Sequence, residues 1–302
     1  MTSAEVQPHP PVQRREIFGW AMFDFANSSY TTVVITAIYS GFFTEHIVPP
    51  GSKVRDSWWA LAIVISSAAA LLLSPVIGSM SDATGHKKRY LMQSAIVCSL
   101  ATMLLVLVGP GSVIPAVLLI VISNTAFMVS ETLCGSFLPE LATPQNMGKI
   151  SGLGWGLGYF GGLASLFLVK LVLDGARTAE EIIGRNQLAM VVTGAFFLLA
   201  ATPTLILVKN RTRPRPGFAE ASVSMLVKET WSEFRHTLDT ARQYKVLLKF
   251  LLAFTVYMAG IEVVIKFVGI YTSDELGFST GDMSILFLIL QISGAAGALG
   301  FG

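Results

Sequence analysis

Apolar runs of about twenty residues recur along the whole chain, each closed by a short polar or Pro- and Gly-rich stretch. A hydrocarbon core of ~30 Å is crossed by ~20 helical residues. On that ruler the pattern predicts membrane spans near 18–43, 58–79, 90–109, 113–137, 150–173, 188–208, 246–271 and 283–301. The breaks fall at Pro49-Pro50-Gly51, at Gly109-Pro110-Gly111, and in polar loops over 78–89, 139–148, 174–186 and 272–281. The longest break, 209–245, opens on the basic run Lys209-Asn210-Arg211-Thr212-Arg213, which suits anionic headgroups. Beyond it Val223, Val227, Trp231, Phe234, Leu238 and Ala241 recur at helical spacing. They predict an amphipathic helix lying on the membrane surface or against the bundle. The organisation expected is a tail over 1–17, a six-helix bundle over 18–208, a linker over 209–245 and the start of a second bundle over 246–302.

Composition agrees with that layout. Of 302 residues, 53% are hydrophobic and 13% charged, against about a quarter charged in a soluble domain. The chain is therefore expected to be an all-α polytopic membrane protein. Its net charge of +2 decides little, but the placement of the cations decides more. Arg14, Arg15, Lys87, Lys88, Arg89, Lys149 and the cations of 209–249 fall on one side of the layout, whereas Lys53, Arg55, Arg177 and Arg185 fall on the other. The positive-inside rule then places the N-terminus in the cytoplasm, with a cytoplasmic (inner) membrane as the expected location. Trp58-Trp59 at the outer end of the second span fits an aromatic belt. Arg14-Arg15 does not open a cleaved twin-arginine signal, because the segment after it carries Asp24 and Asn27 and has no small-residue cleavage site. Cys98 and Cys134 lie inside apolar spans and read as small core residues. Neither a metalloprotease H-E-x-x-H nor a nucleophile elbow occurs, so an enzyme, a metal and a cofactor are not expected. A short basic run beside a membrane is a poor nucleic-acid site.

Ionisable groups within spans are costly, which makes each a functional candidate. Asp24, Asn27 and Thr31 share one face of the first span. Asn124, Met128 and Glu131 share a face of the fourth. In the seventh, Glu262 and Lys266 are four apart, a spacing that serves either a structural pair or a coupling site. In the fifth, Gly154, Gly158 and Gly162 form a smooth face on which a neighbouring helix can pack closely. Gly156, Gly158 and Gly161 match G-x-G-x-x-G by spacing alone, because no strand precedes them. Trp155 and Tyr159, also four apart, face either the pathway or lipid.

The loop after the second span reads Gly78-Ser-Met-Ser-Asp82-Ala-Thr-Gly85-His-Lys87-Lys88-Arg89. Gly78 would let helices pack closely, Gly85 can take a positive φ, and Asp82 can cap or complement the positive N-terminus of the helix that follows. This order resembles the G-x-x-x-D-(R/K)-x-G-(R/K)-(R/K) loop of major facilitator transporters, where it latches two halves of the molecule. Ala83 and His86 depart from the pattern. Three further stretches narrow the resemblance: Trp20-Ala-Met-Phe-Asp-Phe-Ala-Asn-Ser-Ser-Tyr30, Ser136-Phe-Leu-Pro-Glu-Leu141, and the glycine-rich 150–162. Together they are similar to the vacuole-effluxer-like branch, comprising autophagy-related amino-acid effluxers and bacterial relatives called the "unknown major facilitator" family. In its seventh span that branch often shows Y-x-D-G-V-x-T, whereas Tyr257-Met-Ala-Gly-Ile-Glu262 lacks the Asp.

The resemblance implies a major facilitator fold whose spans one, four and seven line a central cavity. It implies secondary transport of small, amino-acid-like polar solutes, in the efflux direction and by alternating access, with protons as the coupling ion that buried carboxylates would suit. Asp24, Glu131 and Glu262 are then the pathway carboxylates, and the Asp82 loop the conformational latch. One alternative is a non-transporting receptor or sensor of the same fold, distinguished by solute binding without translocation, and the other is a proton-coupled exporter of other small molecules. The family implies twelve spans where eight are legible here, so the chain reads as a shortened transporter or an incomplete gene.

Overall fold

A computed structural model describes residues 11–212, 223–241, 243–278 and 280–301. Arg213 and the side chains of Val223, Phe234, Leu238, Ala241 and Lys266, singled out above, lie outside what is described. Among the described residues every regular element is helical. In chain order these are α1 (Arg14–Tyr30), α2 (Tyr39–Phe42), α3 (Arg55–Thr84), α4 (Lys87–Leu104), α5 (Val113–Gly135), α6 (Leu138–Leu141), α7 (Met147–Leu173), α8 (Ala179–Ala200), α9 (Thr202–Leu207), α10 (Val223–Ala241), α11 (Lys245–Asp274) and α12 (Thr280–Phe301). By length and composition six helical stretches can cross a membrane: Arg55–Thr84, Lys87–Leu107, Val113–Leu141, Met147–Leu173, Ala179–Leu207 and Lys245–Ile265. This is an all-α polytopic membrane protein.

The first expected span departs from a plain α-helix. After α1 the backbone widens into a π-helix over Thr31–Ala37, bends at Ile38, and widens again over Phe43–Ile47 on either side of α2. The cause is local. Thr31, Thr32, Val33, Val34, Ile35 and Thr36 are six consecutive β-branched residues, which crowd the preceding turn of an α-helix. The hydroxyls of Thr31, Ser40 and Thr44 also donate to backbone carbonyls at Ser28, Thr36 and Ser40, a competition that loosens the α ladder. α8 starts nine residues before the expected span, because Thr178 caps it: its Oγ1 accepts from Glu181 N–H at 3.2 Å.

α1 sits at the centre and packs against α5, α7, α8 and α9. Its aromatic residues mesh with its neighbours. Phe23 meets Phe197 edge-on with centroids 5.9 Å apart, and Tyr30 stacks on Phe127 at 5.1 Å. Each such pair contributes ~1 kcal/mol beyond its contact area. The outward faces carry Val64, Leu71, Leu72, Leu107 and Leu199, as lipid-facing helices require. α12 packs on α7, while α11 meets the Thr31–Ala37 segment and α2. The amphipathic helix expected in the linker is present as α10, where it contacts α3 and exposes Val227 and Trp231.

Candidate functional site

The crossing of α1, α5 and α7 gathers the polar groups of the bundle. Trp20 Nε1 donates to the Cys134 carbonyl at 2.9 Å, and Tyr30 and Ser123 share a hydrogen bond of 2.8 Å. These two ties fix α1 antiparallel along α5, so Asp24, one turn beyond Trp20, comes beside Glu131, one turn before Cys134. The two carboxylates interact electrostatically, and both act on the buried Cys134 thiol. Asp24 is half-buried and Glu131 exposed.

The glycines of α7 make this approach possible. The Asp24 carboxylate lies against Gly154, and a Cβ there would also come within 3.0 Å of the Trp20 ring. At Gly158 a Cβ would meet Ser28 Oγ at 2.9 Å, and at Gly161 it would overlap the Phe25 carbonyl. Gly162 faces a different junction, where Gln291 of α12 donates from Nε2 to Thr32 Oγ1 at 3.2 Å. Gln291 escaped the sequence reading, although a lone amide within an apolar run was a visible signal.

Other candidates do not join the Asp24–Glu131 group. Asn27 is buried, and its Oδ1 accepts no hydrogen bond from the described residues. Thr31 turns its hydroxyl back to Ser28 O at 3.4 Å, and the polar stripe ends where the π-helix begins. Asn124 faces α3 instead of α1: its Nδ2 donates to Ser66 Oγ at 2.7 Å, which is helix-to-helix packing. Trp155 and Tyr159 point around α7 towards α12, lining a groove of about 550 Å³ with Ser151, Gly152, Gly294 and Gly297. The Tyr159 ring lies against Gly294. Glu262 is exposed on α11, ~26 Å along from Lys245, the depth at which Thr31 rather than Asp24 lies on the first helix.

A second polar cluster lies at the end of the bundle where α1 begins. Gly85 takes φ +67° and turns the chain between α3 and α4. Lys87 is buried; its Nζ pairs with Glu140 at 2.7 Å and Asp82 at 3.4 Å, and sits 5.5 Å from the Phe137 ring centroid. Asp82 therefore pairs with Lys87 and does not cap α4, whose first turn receives no side-chain cap. The expected close packing at Gly78 is corrected too, because a Cβ there meets nothing within 4 Å. Segment 208–212, after α9, crosses beneath this loop. Lys88 Nζ donates to Val208 O at 2.8 Å, Asn210 Nδ2 to Gly85 O, and Thr212 Oγ1 to Glu140 at 3.0 Å. Arg211 pairs with Glu16 of α1 at 2.7 Å, both side chains buried. Burial pushes the Glu16 carboxyl up, yet the Arg211 guanidinium, the Gln13 N–H and the charge of Lys209 together hold it below the usual glutamate value. Glu16, Glu140, Arg211 and Thr212 were not singled out from sequence for this work, since their partners lie far along the chain. At the opposite end Lys170 pairs with Asp174 at 2.8 Å.

Comparison with known proteins matches residues 47–302 to the family described as vacuole effluxer Atg22 like. The chain is 26% identical over 290 residues to an uncharacterized MFS-type transporter, YxiO, of Bacillus subtilis, covering 94% of this chain and 66% of that protein. It is 24% identical over 320 residues to autophagy-related protein 22-1 of Penicillium rubens, covering 82% and 53%. Against autophagy-related protein 22 of Coccidioides immitis it is 24% identical over 303 residues, covering 79% and 49%. The chain thus spans about half to two thirds of the length of these relatives.

Proposed function

The chain belongs to the vacuole effluxer Atg22-like family, and from that premise we propose that it carries small, amino-acid-like polar solutes across a membrane by alternating access, in the efflux direction. The observation that carries this reading is the Asp24 carboxylate set against Gly154 of α7 and within electrostatic reach of Glu131 on α5. Two like charges held together inside a membrane protein repel, and a cation between them relieves the repulsion. An α-ammonium group meets that need, and so does a proton, which makes the pair a site for solute recognition, proton coupling or both. The smooth glycine face of α7 supports movement of α1 past it, as alternating access demands. The cation-rich side of the chain, holding Lys87, Lys88 and Arg89, faces the cytoplasm in this reading, and the Lys87–Glu140 cluster latches that side.

The test is counterflow in sealed proteoliposomes holding the purified chain, with radiolabelled neutral and basic amino acids. The wild-type chain is expected to concentrate at least one of them. Asp24→Asn is expected to lower its rate by about tenfold or more, the loss of ~1.4 kcal/mol of interaction. Solute binding with no counterflow in either protein would instead favour a receptor or sensor.

A further inference from the structure

A recess of about 300 Å³ opens between the first turn of α4 and the helix α9, lined by His86, Lys88, Arg89, Met92, Leu205 and Asn210. The surface it presents is almost wholly apolar, although Lys88 and Arg89 are among the residues that line it. Lys88 spends its ammonium on a neutral carbonyl, Val208 O, and among the described residues neither Lys88 nor Arg89 forms an ion pair. Among the described residues Asp82 and Glu140 pair with Lys87, and Glu16 pairs with Arg211. Positive charge therefore gathers around the recess with no ion-pair partner for Lys88 or Arg89 among the described residues. The uncapped start of α4 adds the positive end of its dipole at the same place. From Met92 upward, Ile96, Leu100 and Leu104 continue at spacings of four, each exposed, as an apolar track along the lipid-facing side of α4.

We propose that an anionic phospholipid docks at this recess, its phosphate held by Lys88, Arg89 and His86 and an acyl chain lying along Met92, Ile96, Leu100 and Leu104. A free phosphate would satisfy the cations but leave the apolar track unused; an amphiphile satisfies both. Lys88 and Asn210 are also ties between the α3–α4 turn and segment 208–212, so a bound headgroup braces that joint. The proposal holds whatever solute the protein carries.

Native mass spectrometry of the detergent-purified chain tests it, with phosphatidylglycerol and phosphatidylcholine offered in turn and inorganic phosphate as competitor. Phosphatidylglycerol is expected to remain bound at least about fivefold more than phosphatidylcholine, and Arg89→Gln to remove about that factor, the worth of one cation near an anionic surface. Lys149→Gln, which removes an exposed cation outside the recess, is expected to change nothing. The Arg89 side chain is exposed and forms no hydrogen bond or ion pair among the described residues, so its substitution breaks no polar tie, and the wild-type lipid comparison needs no variant. Equal retention of the two lipids, or an equal loss in Arg89→Gln and Lys149→Gln, overturns the proposal. Displacement of phosphatidylglycerol by an equal concentration of inorganic phosphate overturns it as well, assigning the recess to free phosphate.

Discussion

At Gly161 the protein has no room for even a methyl group, because a Cβ would overlap the Phe25 carbonyl of α1. Gly78, in the loop motif, meets nothing at all. Gly161→Ala is therefore expected to cost about 1–3 kcal/mol as overpacking, and Gly78→Ala to change little. Thermal unfolding in detergent checks both, and equal effects would mean that α1 and α7 do not touch as described. Spacing in the sequence revealed that α7 has a smooth face, and the structure adds which neighbour each glycine meets: Gly154, Gly158 and Gly161 meet α1, but Gly156 meets Leu299 of α12. That division depends on helix rotation in the assembled bundle, which periodicity along a single helix does not carry. Asp24 and Glu131 were legible for another reason. A carboxylate in an apolar run is costly enough to stand out one residue at a time. Asn124 stood out equally, yet its amide serves Ser66; polarity marks a residue as needing a partner without naming the partner.

The elements were legible wherever one helix sufficed. Long apolar runs became α3, α4, α5, α7, α8 and α11. Apolar length placed the first span without its shape, for which the β-branched run at 31–36 was the signal of a π-helical part. The join between α9 and the rest was not legible, since each tie of segment 208–212 reaches across more than 70 residues. Glu16 and Arg211 give that join a measurable signature. The Glu16 carboxyl is held below its ordinary value of 4.5, so its ionised form stabilises the fold. That contribution is fully present above about pH 4.5 and is lost as pH falls through the folded value. Glu16→Gln is expected to cost about 3 kcal/mol at pH 7, because it strands a buried guanidinium. The variant should also lose less stability than the wild type between pH 5 and pH 3, as read by denaturation midpoints at each pH. A parallel decline in both proteins would place the acid sensitivity elsewhere.

Across the whole molecule the two polar clusters occupy different levels of one bundle. The carboxylate pair lies where α1, α5 and α7 cross, and the Lys87–Glu140 cluster ties the end at which α1 begins. Alternating access requires the first cluster to face each side of the membrane in turn and the second to open and close. Met128, half-buried on α5 one turn from Glu131, reports on the first. The direct measurement is the labelling of Met128→Cys, with the buried Cys98 and Cys134 replaced by Ser, by a membrane-impermeant maleimide added to either side of sealed vesicles. Alternating access predicts labelling from both sides, in a ratio that amino acids shift. Labelling from one side only, at a rate no amino acid alters, would contradict it.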